Sequence, residues 1–298
     1  MSSRDSTIVV GVAEGRASDA ALDWAVREAA RRGAGLHLVH ALARGADAAA
    51  QEPPGRGGED VSVTLRRAGD LVRAVGAGVA VRSSAVGGPA HEALLRAAAD
   101  ADLVVTGTDR HGARPGRTGQ VLAERCPCPL VCVGSAPTGG HGVVAGFDAT
   151  PASAAALEFA AAEAALRGER LRVVHVAHPP VGHLLEQDPQ ARRAARRLAA
   201  AAVEEVVEGV RRRHGVEAEV VLVTGAFASD VLVGRSRRAR LLVVGAHAHP
   251  SFLSALFGST GRGVLRCAHV PVVVVPPTTV DRAPGAGGAP GAGALVGA

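Results

Sequence analysis

The chain of 298 residues is long for one ordinary domain and sufficient for two of about 140 residues, each able to bury a core of its own. Apolar residues make up 47% of it, largely Ala, Val and Leu, which is typical of a packed protein rather than a disordered one. The formal net charge of +5 rests on arginine alone, because the sequence contains no lysine, and phosphate loops or Schiff bases built on lysine are therefore excluded.

The predicted elements of the first half alternate between strands and helices. Residues 7–12 form a β-branched strand, a helix-period segment then ends at Gly33, and a second strand covers residues 36–42. Residues 43–60 are rich in Gly and Pro and are predicted to be a loop. The remaining elements are a strand (79–84), a helix (90–99), an apolar strand (102–106), a further helix and a closing strand (130–133).

The second half follows the same order with one difference. A long helix is predicted from Pro189 to about His214, where the first half has its loop. The other elements are strands at 142–147, 171–177, 217–224, 241–244 and 272–275, a helix ending at Gly168, a helix at 228–238, and a last helix before the final strand.

An internal repeat explains this parallel order. A shift of the chain by 135 places aligns matching residues without a gap over the opening strand, helix and second strand. The matched pairs are Gly11 with Gly146, Ser18 with Ser153, Trp24 with Phe159, Glu28 with Glu163, Gly33 with Gly168, Leu36 with Leu171, and His40 with His175. The sequence therefore predicts two copies of one structural unit.

Alternating strands and helices, with strands apolar on both faces, predict a parallel sheet covered by helices on both sides. We expect an α/β fold of two tandem five-stranded parallel-sheet sandwiches, Rossmann-like, with domains at residues 1–140 and 141–276. Residues 277–298, which are Gly, Ala and Pro without periodicity, are predicted to be a disordered tail. In such sheets ligands bind beyond the carboxyl ends of the strands.

The sequence lacks the features of several classes of protein, namely membrane, secreted, disulfide-rich and nucleic-acid-binding proteins. No apolar stretch reaches the ~20 residues of a membrane helix, and residues 1–7 do not resemble a secretion signal. The four cysteines do not form a spaced disulfide framework. Aromatic platforms and groove-binding motifs are lacking, so we expect no nucleic-acid partner, no membrane partner and a cytoplasmic location.

A glycine-rich segment follows the fourth strand of the second half. Gly245-Ala246-His247-Ala248 is followed nine residues later by Gly258-Ser259-Thr260 at the start of a helix. Such a loop lets backbone N–H groups approach an anion, and the helix N-terminus adds free amides and the positive end of its dipole. This pattern resembles the G-x2-G-x9-G-[ST] signature of the universal stress protein family. The segments GVVAGFDATPAS and VLRCAHVPVVVV also resemble that family, and the resemblance covers residues 6–276.

The resemblance implies a fold related to the adenine-nucleotide α-hydrolases and a ligand such as ATP or AMP, with Mg²⁺ as a companion of ATP. It implies that Asp148, with its neighbours Ala149 and Thr150, contacts the adenosine part and that the backbone near Val176 faces the adenine. The phosphates would lie against Gly245, Ala248, Gly258, Ser259 and Thr260, with His247 as a candidate further contact. The implied role is regulatory binding without fast catalysis.

Two departures from the family pattern bear on this site. The second Gly of the signature is Ala248, which costs about 1–2 kcal/mol if that residue must be left-handed. In the first half the Asp position is Ala13, and Gly107 lies eight residues before Pro115, the position that we match to Gly258. The corresponding gap in the second half is thirteen, so the loop has lost five residues. We therefore expect one nucleotide site, in the second half.

Other candidates have simpler structural interpretations. Cys126, Cys128, Cys132 and Cys267 are predicted to pack in the core rather than to form a redox or metal cluster. His40 and His175 are predicted to be hydrogen-bonded residues of the fold. The arginine-rich helix from Pro189 is interrupted by acidic residues, which favours a solvated covering helix over a membrane or partner surface.

Three functions compete at this point. The first is a cytoplasmic universal-stress-type protein that binds ATP or AMP in its second domain, with pairing of the two domains within the chain and a homodimer left open. The second is an interaction module without nucleotide, in which both sites are vestigial. The third is an enzyme of the related α-hydrolase type, such as an ATP pyrophosphatase or an electron-transfer flavoprotein subunit. The segments AEGRAS and DATPAS lack the S-G-G-x-D-S loop of the former, and nothing in the sequence identifies flavin binding. No catalytic or metal-binding residue is predicted.

Overall fold

The computed structural model of this chain describes residues 6–42, 61–75, 78–108, 117–134, 139–177, 189–224, 226–246 and 259–277. The predicted loop at 43–60 lies outside these residues, as does nearly all of the predicted tail at 277–298. Ten strands and eight helices occur in the described part of the chain.

The strands are short and apolar, and the central ones are buried on both faces. They are β1 (Thr7–Gly11), β2 (Gly35–Leu42), β3 (Val81–Gly87), β4 (Leu103–Thr108), β5 (Leu130–Gly134), β6 (Val143–Gly146), β7 (Leu171–Ala177), β8 (Ala218–Thr224), β9 (Leu241–Gly245) and β10 (Val272–Val275). They form one continuous sheet in the order β3-β2-β1-β4-β5-β10-β9-β6-β7-β8. Every neighbouring pair is parallel except β5 and β10, which run antiparallel with Cys132 opposite Val272.

Helices cover both faces of this sheet. They are α1 (Arg16–Arg32), α2 (Val61–Val75), α3 (Ala90–Ala98), α4 (Arg117–Arg125), α5 (Pro151–Arg167), α6 (Pro189–His214), α7 (Ala228–Ser236) and α8 (Ser259–Cys267). One core cluster lies beneath α1, α2, α5 and α6, and the other beneath α3, α4, α7 and α8. Each half is thus a parallel sheet between two helical layers, as the sequence predicts.

Local sequence signals explain several helix ends. Gly33 and Gly168 end α1 and α5 in the left-handed conformation, with φ of 63° and 62°, which confirms their predicted role. At the start of α5, Thr150 and Ser153 form a reciprocal capping box, and Pro151 occupies the first helical turn. These ends fix where the chain enters and leaves the sheet edge.

The sequence analysis missed α2. It follows a segment rich in Gly and Pro and contains several valines, which are poor helix formers. Its buried Ala68 and Val72 and its partly buried Leu65 nevertheless recur at helical spacing and pack onto the core. Tertiary packing therefore outweighs weak propensity here, and α2 takes the place that α6 has in the second half.

A buried ionic network joins the two halves across the face covered by α1 and α5. Arg167 Nη2 lies 2.6 Å from Glu28 Oε2, and Arg32 reciprocally pairs with Glu163. Each arginine also binds the glutamate of its own helix, and the partly exposed Arg31 binds Glu28 at 2.7 Å. Glu28 and Glu163 are 1% and 2% exposed, so all four charges depend on one another for compensation. Burial raises the pKa of Glu163, and the charge of Arg32 opposes that rise.

None of the described helices is both long enough and apolar enough to cross a membrane.

We expect Arg32→Met to lower the free energy of unfolding by about 3–5 kcal/mol, because it leaves two buried carboxylates with one cation fewer. Denaturant unfolding followed by the fluorescence of Trp24, the single tryptophan of the sequence, measures this change. The matched control in the same helix is Arg27→Met. Arg27 pairs with Asp23 and its side chain is 64% exposed, so its loss should cost less than about 1 kcal/mol. Equal losses for the two variants would contradict the importance of the network.

Candidate functional site

The candidate site of the second half lies where β6, β7 and β9 end. β6 pairs in parallel with both neighbours, so the carboxyl ends of all three strands meet at one edge of the sheet. This edge brings together the loop that starts at Asp148, the end of β7 at Val176 and the end of β9 at Gly245.

A set of short hydrogen bonds fixes the loop that starts at Asp148. The Oγ of Ser153, which is 2% exposed, accepts the N–H of Asp148 at 3.2 Å and that of Thr150 at 3.1 Å. Thr150 Oγ1 donates to Asp148 Oδ1 at 2.6 Å. The carboxylate of Asp148 is therefore held at the N-terminus of α5 while it remains exposed at the mouth of the site. A negative charge is favoured there by the helix dipole.

Ala149, between these two residues, has a left-handed backbone with φ of 63°. Among the described residues no other non-glycine residue has a positive φ. A methyl group in this conformation costs about 1–2 kcal/mol, so the hydrogen bonds around it hold the loop against strain. The aligned residue of the first half, Glu14, has no such conformation.

Gly245 allows β9 to approach the start of α5. A Cβ at this position would lie 2.5 Å from the carbonyl carbon and oxygen of Ala152, which is far inside van der Waals contact. In the first half a Cβ on Gly107 would lie 2.4 Å from the oxygen of Ala17. The fold therefore requires glycine at both positions, independently of any ligand.

The end of β7 presents backbone polar groups to the site. Val174 is the last β7 residue paired with β6, and its oxygen accepts the N–H of Phe147. Because alternate residues of a parallel strand face the same neighbour, the N–H and C=O of Val176 point to the β6 side beyond the end of that strand. His175 Nδ1 lies 2.8 Å from the oxygen of Phe147, and His40 Nδ1 lies 2.9 Å from that of Val12, so both are hydrogen-bonded fold residues as predicted.

The equivalent edge of the first half forms a cavity of about 440 Å³. Ala13 lies in its lining at the position of Asp148, and Ser18 Oγ accepts the N–H of Ala13 at 2.9 Å, as Ser153 does for Asp148. The cavity also includes Pro89 and Thr118. The backbone frame of the site is thus present in both halves. The carboxylate at the Asp148 position is present in the second half alone, and the first half has Glu14 one residue later in the lining of its cavity.

The helix ends change the predicted loop alignment by one residue. α4 ends at Arg125 and α8 at Cys267, which places Thr118 opposite Thr260. Gly107 and Thr118 are eleven residues apart and Gly245 and Thr260 are fifteen apart, so the first loop is four residues shorter and not five. His247, Ala248 and Gly258 lie outside the described residues, and Ser259 is described in its backbone only.

Comparison with known proteins gives a consistent result. The model of the universal stress protein family matches residues 6–134 and again residues 141–276. The chain belongs to the universal stress protein family. A universal stress protein of Mycobacterium tuberculosis (strain ATCC 25618 / H37Rv) is 31% identical over 293 residues, covering 90% of this chain and 96% of the relative. One of Mycolicibacterium smegmatis is 29% identical over 294 residues, covering 91% and 97%.

A solved structure supports the fold of this universal stress protein. The crystal structure of a universal stress protein from Archaeoglobus fulgidus matches with a TM-score of 0.66 at 15% identity, covering 91% of this chain and 98% of that one. At this level of identity the match establishes the tandem α/β architecture alone.

Phe227 is a further candidate site residue that was not predicted from the sequence. It caps α7 at the position where Pro89 caps α3, and Pro89 lines the cavity of the first half. The side chain of Phe227 is 79% exposed. This exposure is unusual, because large aromatic side chains are generally buried and the chain has only five phenylalanines and no tyrosine. The repeat could have revealed it, because GAFA at residues 225–228 leads into α7 as GGPA at residues 87–90 leads into α3.

The remaining candidates have mixed outcomes. Cys126, Cys128 and Cys132 are buried as predicted, and Cys132 lies in β5. The prediction for Cys267 was wrong, since it is exposed at the last turn of α8 and the next residue, Ala268, enters the core instead. Within the described part of the chain, no three His, Cys, Asp or Glu side chains are grouped to hold a metal ion.

The arginine-rich helix α6 packs on the core through one side. Val203, Val207 and Val210 are buried, while the described arginines Arg193, Arg196 and Arg197 are exposed. Arg211 pairs with Glu204 and Glu208 along the same helix. This is the arrangement of a solvated covering helix.

Replacing Ala149 by Gly should stabilise the protein. The substitution releases about 1–2 kcal/mol of left-handed strain. The greater freedom of glycine in the unfolded chain offsets about 0.5–1 kcal/mol of this, so the free energy of unfolding should rise by up to about 1.5 kcal/mol. The control is Ala154→Gly at an exposed position inside α5, which should destabilise by about 1 kcal/mol. Denaturant unfolding of both variants measures the two signs, and a loss of stability for Ala149→Gly would show that the loop is unstrained.

Proposed function

We propose that this universal stress protein binds one adenine nucleotide, ATP or AMP, in the domain at residues 141–276, as a regulatory ligand in a cytoplasmic stress response. The observation that carries the proposal is the carboxylate of Asp148, which accepts hydrogen bonds from the N–H and Oγ1 of Thr150 on a backbone held by Ser153, at the same end of the sheet as Gly245. A carboxylate in this position suits the hydroxyl groups of a ribose, which donate hydrogen bonds to it.

The other parts of the ligand have matching chemistry at the same edge. The outward backbone groups of Val176 offer one donor and one acceptor, which suits the edge of an adenine. Thr260 lies in the first turn of α8, where free amides and the helix dipole favour phosphate, and Gly245, His247, Ala248, Gly258 and Ser259 complete the proposed phosphate site. Mg²⁺ would accompany ATP through phosphate oxygens and water.

The proposed role is binding rather than fast catalysis. The groups held at the described edge are a carboxylate, hydroxyls and backbone amides, and the chain has no lysine to activate a phosphate. The proposed functional unit is one chain, with its two halves paired along β5 and β10. A homodimer is a further expectation.

A second candidate is an interaction module that has lost its nucleotide. It is favoured by Ala248, which replaces the second glycine of the signature, and by Ala13 in the first half. Analysis of small molecules released from the purified, denatured protein separates the two functions, because retained adenine nucleotide supports the first and its absence the second.

Calorimetric titration with ATP should give one site per chain. Asp148→Ala, which copies Ala13 of the first half, should weaken binding by tenfold or more, since a hydrogen bond to a charged group contributes about 1.5–3 kcal/mol. The reciprocal variant Ala13→Asp should not create a second site, because the loop of that half is four residues shorter. Two equivalent sites in the unmodified protein would refute the proposed asymmetry.

Phe227→Ala should weaken ATP binding by about tenfold, because an aromatic ring stacked on a base contributes about 1–3 kcal/mol. Phe227→Trp should retain binding and add a fluorescent reporter at the rim of the site. The matched control is Pro89→Ala, the same position in the first half, which should leave ATP affinity unchanged. Unaltered affinity in Phe227→Ala would place the ring outside the site.

A further inference from the structure

Two cysteine side chains meet at the junction between α4 and β5. Cys126 directly follows α4, with its N–H bonded to the oxygen of Leu122, and Cys128 lies two residues before β5. Their sulfur atoms are 3.8 Å apart, a distance at which one thiol hydrogen-bonds to the other. Cys126 is 8% exposed and Cys128 is 1% exposed.

The second half shows what packing alone requires at this junction. Ala268 takes the place of Cys126, since its N–H bonds to Val264 as that of Cys126 bonds to Leu122, and Val270 takes the place of Cys128. Both are buried, at 1% and 3% exposure. Ordinary apolar side chains are therefore sufficient for the fold at this junction. Packing alone does not explain why the first half has two sulfur atoms in contact there.

The two thiols also differ in their surroundings. The pKa of Cys126 is lowered by the hydrogen bond from the thiol of Cys128, against the opposing effect of burial. Cys128 in turn lies with its sulfur 3.9 Å from the oxygen of Ala98. The thiolate of Cys126 is therefore favoured, and at 8% exposure this side chain retains more access to solvent than that of Cys128, which is 1% exposed.

We propose that Cys126 and Cys128 form an oxidisable dithiol that peroxides convert to an intramolecular disulfide. The sulfur of Cys126 attacks one peroxide oxygen, the O–O bond breaks, and a sulfenic acid and one water molecule form when the oxidant is hydrogen peroxide. The sulfur of Cys128 then attacks the sulfenic sulfur, the S–O bond breaks, and a second water leaves with the thiol proton. Two thiols are oxidised by two electrons and one peroxide is reduced to two waters.

A disulfide suits this environment better than a metal ion does. In the described part of the chain no third His, Cys, Asp or Glu joins the pair as a ligand. The surrounding core contains apolar residues such as Val104 and Leu130. Two buried thiolates would carry charge into that core, whereas a disulfide is neutral and apolar.

The location gives the oxidation a structural consequence. The two sulfur atoms must move from 3.8 Å to the bond length of about 2.05 Å, which shifts the segment between α4 and β5. β5 is the strand that pairs with β10 of the other half. Oxidation in the first half therefore acts on the strand that joins both halves.

The test uses the reduced full-length protein, treated with hydrogen peroxide and then alkylated after denaturation. Peptide mass spectrometry should show that the peptide with Cys126 and Cys128 has lost two hydrogen atoms and escapes alkylation, and dithiothreitol should reverse both changes. Cys132→Val, which copies Val274, should still form the bond and so excludes Cys132 as the partner. Cys126→Ala and Cys128→Val, which copy Ala268 and Val270, should each abolish it.

Two results would overturn the proposal. One is a fully alkylated pair at a peroxide concentration that oxidises the exposed Cys267. The other is stoichiometric capture of zinc or copper(I) by the reduced protein with no disulfide on oxidation, which would assign the pair to metal binding. The spectrometric result on the unmodified chain decides the question even if a variant fails to fold, and circular dichroism checks the folding of each variant.

Discussion

The reciprocal burial of Glu28 and Glu163 is the constraint on which the arrangement of the two halves depends. Arg32 and Arg167 occupy equivalent repeat positions, so each half supplies one carboxylate and one reciprocal guanidinium to the same network, to which the first half adds Arg31 on Glu28. Separation of the halves would leave each carboxylate with fewer cations, which is costly for buried charges. Apolar packing alone would tolerate small shifts between α1 and α5, whereas this network fixes their register. The guanidinium of Arg32 also lies 5.9 Å from the ring centre of Phe159, which adds a cation–π contact across the same seam.

The antiparallel pairing of the two halves determines where the two sites lie. Helices α1 and α5 cover the same face of the sheet, and β5 runs antiparallel to β10. The strands of the two halves therefore run in opposite directions. The carboxyl ends of one set lie on the side of the continuous sheet where the other set has its amino ends. Each edge can change its ligand chemistry without altering the other. The presence of Asp148 in one half and Ala13 in the other is consistent with this independence, since both positions have the same serine-held backbone.

Much of the fold could be predicted from the sequence because its signals are local or repeated. The strands, the glycine caps and α6 follow from hydrophobic runs and end signals, and the matched residues predict two similar halves. The antiparallel seam could not be predicted, since apolar strands such as β5 and β10 carry no signal of which edge they pair with. The repeat aligned Glu28 with Glu163, but a helical glutamate gives no sign from sequence that it is buried. The exposure of Cys267 and the strain at Ala149 likewise depend on one-residue details of helix ends and turns, where sequence patterns are least informative.

Some residues of the site signature are required by the fold in both halves, whereas others are specific to the candidate site of the second half. Gly107 and Gly245 face the same backbone clash, at 2.4 Å and 2.5 Å, although only the second half has the carboxylate. The first glycine of the signature is therefore explained by the approach of a helix, and its presence gives no information on binding. Asp148 and the left-handed Ala149 are different, because the first half has Ala13 and an ordinary Glu14 there and still folds in the same way. In the first half the positive φ of this turn falls one residue later, on Gly15 at 108°, where glycine carries no strain. Strain that the fold does not need is typical of a functional loop, and the turn after β6 is therefore the part of the candidate site that most clearly separates the second half from the first.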